Sequence, residues 1–127
     1  MKKYLVVFLV LFFSVSFFSA QKTMIFTDSY KDYRDGQELF DKLLYSAAQK
    51  KFSAVINTIN NNKDELRVDA EFYHAVCALE LFHLDAEVLL KRFVLDHPDH
   101  PKSKKVFFQL GRHNYRTKRF KKVIEFF

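Results

Sequence analysis

The sequence predicts an all-α protein, an α-solenoid of about two and a half antiparallel helix hairpins behind an N-terminal export signal. Three observations predict it. Apolar residues make up 49% of 127 residues, with sixteen Phe and six Tyr but only two Gly and two Pro. That composition supports a packed core and long elements with few tight turns, and it excludes a β-sandwich or a disordered chain. Apolar side chains recur at helical spacing through most of the chain. Finally, four positions repeat in one register. Gly36, His74 and Gly111 are 38 and 37 residues apart, as are Tyr45, His83 and Phe120, then Ala48, Ala86 and Val123, then Phe52, Leu90 and Phe127. A period shared by four columns marks a repeat architecture.

The first element, "MKKYLVVFLVLFFSVSFFSAQ", has Lys2 and Lys3, an uncharged apolar run from Tyr4 to Phe18, and small residues at Ser19 and Ala20. This is the layout of a secretory signal peptide over residues 1–20, cleaved between Ala20 and Gln21. The apolar run is shorter than the roughly 20 residues that a helix needs to span a bilayer core. No Cys lies near the cut, so attachment of a lipid at a new N-terminal cysteine is excluded. Residues 21–30 read as a linker, and residues 31–127 as the repeats.

In the first unit Tyr33, Leu39, Phe40 and Leu43 fall on one side of a helix, a short connection is expected near Leu44 and Tyr45, and Ala48, Phe52, Val55 and Ile56 line a second helix. Gly36 facing Ala48 would let the two backbones approach closely. "INTINNNKDELR" then reads as a solvated turn. The second unit pairs "AEFYHAVCALELF" with "DAEVLLKRFVLD", where Asp85 is placed to cap the helix that starts at Ala86. It ends at "HPDHP", because Pro98 and Pro101 cannot continue a helix. In this unit either His74 or its neighbour Ala75 holds the small-residue position. The third starts near Ser103 and turns at Thr117 and Lys118. The second helix of that unit is short at Phe127, which predicts a truncated last repeat with further repeats following.

These columns resemble the tetratricopeptide repeat. Leu110 and Gly111 match its Leu-Gly pair, and Tyr115 lies one place past its aromatic. Phe120 opens the second helix, and Ala48 with Phe52 matches A-x₃-F. Ala86 with Leu90 and Val123 with Phe127 follow in weakened form, and Pro98 stands where the family has its proline. The resemblance implies recognition of a protein or peptide through a concave groove lined by first helices. On that register the groove receives Tyr33, Gln37 and Phe40, then Glu71, Ala75 and Ala78, then Phe108, Arg112 and Tyr115. Arg112 and Arg116 would offer charge-assisted bonds to carboxylates.

The charge is split: residues 21–100 carry 10 Lys and Arg against 14 Asp and Glu, and residues 101–127 carry 9 against 1. The basic block has the composition of a nucleic-acid surface, but an export signal excludes that partner. A solvated face is the expected use, with contact to an acidic protein or peripherally to a membrane surface as the functional alternative. His97, Asp99 and His100 invite a metal reading, yet the two prolines enforce an extended turn, so no metal is expected. Cys77 reads as a small buried hydrophobe. No phosphate loop, nucleophile triad or paired carboxylates are present, so neither catalysis nor a cofactor is expected. The signal and the repeats together resemble exported bacterial envelope proteins. They imply a non-enzymatic scaffold for protein contacts, in the periplasm or on the periplasmic face of the outer membrane, serving assembly, secretion or gliding machinery. The alternative is the N-terminal repeat region of a larger exported enzyme or transport accessory.

Overall fold

The computed structural model describes residues 27–118, which are all-helical, with no strand among them. Five helices follow one another: α1 (27–41), α2 (Tyr45–Thr58), α3 (Glu65–Glu80), α4 (Ala86–Asp96) and α5 (Ser103–Arg116). None of the described helices is long and apolar enough to cross a membrane. Ala20, Gln21, Phe120, Val123 and Phe127 lie outside the described residues, and so do the segments expected to be the export signal and the second helix of the third unit. One boundary moves. Residues 27–30, read as linker, are already helical. The stretch holds no Gly or Pro to break the helix, and Ser29 turns inward one turn before Tyr33, both buried.

α3 is the centre of the fold. Eight of its residues are buried, because opposite sides of it face different neighbours. Ala70 and Cys77 join Tyr33, Ala48, Phe52 and Val55 in one core. Val68, Phe72, Val76 and Leu79 join Ala86, Leu90, Phe93, Val106 and Leu110 in the other. α2, α4 and α5 each pack on α3. Tyr73 stacks on Phe52 with ring centroids 5.3 Å apart and meets Phe40 edge-on at 5.2 Å, so it ties both cores together.

The first connection occupies Lys42 to Leu44, and Tyr45 opens α2 with its ring against Phe40. Gly36 does allow close approach, but to a different partner than Ala48. A Cβ there would stand 2.9 Å from Cε1 of Phe52. The reason is that α1 settles over the large ring one turn further along α2. In α3 the core position belongs to Ala75, while His74 is half-buried at the edge. Asp85 occupies the N-cap of α4 but makes no capping bond, since its backbone is helical there and the carboxylate is not aimed at the free amides. The effective cap is Asp64, whose carboxylate accepts from the amides of Leu66 and Arg67. Pro98 is exposed in the α4–α5 turn, so it stops α4 without packing in the core.

One device recurs at the end of each first helix. Leu43, Phe82 and Lys118 have φ of 61°, 59° and 59°, although none is glycine. Around Leu43 the Leu44 amide donates to Leu39 O and the Leu43 amide to Phe40 O. Around Phe82 the same pair runs from His83 to Ala78 O and from Phe82 to Leu79 O, and Lys118 donates to Tyr115 O. This left-handed cap satisfies the last carbonyls of a helix and is usually built on glycine. A side chain in this conformation costs roughly 1–2 kcal/mol. Leu43 is exposed and loses little packing, so Leu43→Gly is expected to raise stability by about 0.5–1 kcal/mol after the entropic cost of glycine. Urea unfolding followed by circular dichroism measures this, and an unchanged or lower midpoint would contradict a strained cap.

Candidate functional site

The expected groove is not assembled. Tyr33 is 7% exposed and sits in the first core, edge-on to Phe52 and Tyr73. Its hydroxyl donates to Oδ2 of Asp69 at 3.2 Å and accepts from Gln37 Nε2 at 3.0 Å. Burial first, and the Asp69 carboxylate second, push its pKa well above the ordinary tyrosine value. Ala75 and Ala78 are buried in the second core, and Phe40 is partly buried against both. Of the predicted groove, Phe108 and Tyr115 stand out most openly, 58% and 67% exposed on α5. Ala70 and Cys77 of α3 face the first hairpin, while its alanines 75 and 78 are covered by the packing with α4 and α5.

The two arginines assigned to a ligand have an internal partner. Arg112 Nη2 donates to Oε1 of Glu80, and Arg116 Nη1 donates to Oε2 at 2.8 Å. The Glu80 side chain is only 7% exposed, so this fork joins the end of α3 to α5 and neutralises a carboxylate in poor contact with water. Arg116 also lies over the ring of Phe82. In the sequence the signal for this bridge was Glu80 itself, the single acid inside the apolar run "AVCALELF".

Two further acids on α3 are bridged in the same manner. Asp69 takes Tyr33 from α1, and Lys102 and His100 from the α4–α5 turn, with His100 Nε2 at 3.5 Å. Glu71 accepts from Arg67 Nε and pairs with His97 Nε2, both at 3.0 Å, while Arg67 Nη1 donates to the carbonyls of Ile56 and Ile59 at the end of α2. "HPDHP" therefore aims its two imidazoles at two different carboxylates. Among the described residues, no group of three or more ligating side chains could hold a metal ion. Cys77 is fully buried, and burial, then the nearby Glu80, push its pKa up to about 12, so the thiol does not ionise near neutral pH.

A further concavity lies elsewhere. α2 and α4 pack on α3 but not on each other, and between them opens a groove of about 370 Å³. Its apolar surface is Ile56, Ala75, Leu89 and Phe93, and Ser53, Asn57, Glu71, His74, Arg92 and Asp96 add polar groups. Sequence reading placed Glu71 and Ala75 of its floor in the expected groove but missed its walls, which come from second helices. Burial lowers the His74 pKa below the ordinary 6.5, an effect that Asp85 opposes and His83 reinforces. The unfolded chain then takes up the proton first, so the contribution of His74 to stability is complete above pH 6.5 and is lost as pH falls below it. Acidifying from pH 7.5 to 5.5 is expected to lower Tm more in the wild type than in His74→Asn, since the other titrating groups are common to both. Equal losses would mean that His74 is not desolvated.

These helices define an all-α protein whose neighbouring helices are cross-linked by partly buried acid bridges. Comparison with known proteins finds no matching family model, no matching curated protein and no matching solved structure.

Proposed function

We propose that this chain is a non-enzymatic scaffold of the tetratricopeptide type, an exported α-solenoid segment that works through protein contacts in the bacterial cell envelope. The observation that carries the reading is the left-handed cap repeated at Leu43, Phe82 and Lys118, which closes each first helix at nearly the period of the sequence columns. The sharing of α3 between two cores supports it too, because in repeat arrays each hairpin covers the exposed side of the one before it. Asp69, Glu71 and Glu80 of α3 act as ties between elements, a structural use that leaves them unsuited to acid–base work. Export rests on the three-part N-terminal layout, and the envelope assignment on the combination of signal and repeats.

The test has two arms. Expressed in a Gram-negative host, the protein is expected in the periplasmic fraction with a mass that starts at Gln21. A cytoplasmic chain retaining Met1 would overturn the compartment. Site-specific photo-cross-linkers at Ser53, Phe108 and Tyr115, introduced in the native organism, are expected to give discrete adducts with one envelope protein. Adducts absent from all three positions would overturn the scaffold role.

A further inference from the structure

We infer that the groove between α2 and α4 is the docking site for an extended segment of a partner protein, one in which an apolar residue is flanked by an acidic and a basic one. This rests on the scaffold reading above and names the surface and the partner chemistry. At three of the four acids of α3 the structure pairs its charges closely, with Asp69, Glu71 and Glu80 each holding at least two partners. Among the polar side chains that line the groove only Glu71, one of those acids, is paired. Ser53, Asn57, Arg92, Asp96 and the His74 imidazole line the cleft, and none has a hydrogen-bond or ion-pair partner among the described residues. An apolar floor with a few unmet polar groups converging on it is the make-up of a recognition site.

The two walls differ, and the difference specifies the ligand. Ser53 and Asn57 stand one turn apart on α2, where a hydroxyl and an amide match the N–H and C=O groups of an extended main chain. Arg92 and Asp96 stand one turn apart on α4, about 6 Å along the axis. Residues i and i+2 of an extended peptide are separated by roughly 6–7 Å. A segment with an acid at i and a base at i+2 therefore meets both charges of α4 at once, and an apolar residue at i+1, on the opposite face of the strand, is carried toward Ile56 on the α2 wall. A purely acidic or purely basic segment would meet one like charge, which disfavours it.

The test is a titration of the ¹⁵N-labelled chain with the tripeptide N-acetyl-Glu-Leu-Lys-amide, using N-acetyl-Gln-Leu-Gln-amide as the neutral control. Shift changes are expected at Ser53, Asn57, His74 and Arg92, with the neutral peptide binding about tenfold more weakly. The Arg92→Ala, Asp96→Ala double variant is expected to show the same loss; both side chains are unpartnered, and an unchanged circular dichroism spectrum verifies the fold. Equal binding of the two peptides, no shift change at millimolar peptide, or changes confined to α5 would each overturn the groove. Changes on α5 alone would still leave the scaffold reading standing, because that reading is decided by the cross-linking arm.

Discussion

Replacing Phe52 with alanine is expected to cost about 3–5 kcal/mol, the range for emptying a fully buried aromatic site that cannot collapse. Phe52 is 0% exposed. Its ring stacks on Tyr73 at 5.3 Å, meets Tyr33 edge-on at 5.9 Å, and presses against the backbone of α1 at Gly36. Removing it unseats three helices together, since α1, α2 and α3 all converge on that ring. Phe52→Leu, which keeps most of the volume, is expected to lose far less. The same contact predicts a coupled pair. Gly36→Ala alone places a methyl group 2.9 Å from the ring and is destabilising, whereas in a Phe52→Leu background part of that penalty disappears. Urea unfolding of the four proteins measures the coupling. Additive effects, or a Phe52→Ala loss near 1 kcal/mol, would show that α1 does not lie on this ring.

Removing both arginines from Glu80 is the second large effect. In Arg112→Ala, Arg116→Ala, a carboxylate whose side chain is 7% exposed keeps its charge without a partner. Breaking a fully buried pair costs about 3–5 kcal/mol; here the guanidinium groups are nearly half exposed, so the expected loss is about 2–4 kcal/mol. Either single variant leaves one donor in place and is expected to lose about 1 kcal/mol. The diagnostic is rescue. Adding Glu80→Gln to the double variant removes the stranded charge, and is expected to recover most of the loss. If the triple variant is no more stable than the double, the arginines act through packing on Phe82 and not through the carboxylate.

Most of the helical content was legible because it depends on local pattern. Ala48, Phe52 and Val55 repeat every three to four residues, and all three are buried in α2. Pro98 and Pro101 end α4 by removing donors, which needs no knowledge of the rest of the fold. The left-handed caps were not legible because Leu43, Phe82 and Lys118 give no glycine signal; each adopts a conformation that its own residue type resists, where the backbone bonds of the cap close the helix. The candidate groove failed for a related reason. A periodic pattern states which residues share a face of a helix, but not which neighbour that face meets. Tyr33 and Phe108 occupy the same column of the repeat, yet Tyr33 is sealed against Phe52 and Tyr73 while Phe108 faces solvent.

The sequence by itself determined that this protein is built from helices, where most of them stop, and that Cys77 is an inert core residue. These follow from backbone propensity, the missing amide of proline and the cost of burying polar groups. Only the tertiary structure decided that Arg112 and Arg116 belong to Glu80, that the imidazoles of His97 and His100 turn toward Glu71 and Asp69, and that the groove lies between α2 and α4. A charged side chain finds its partner through the rotation and crossing of whole helices. Those are set by the summed packing of two cores around α3, and no single stretch of the chain contains them.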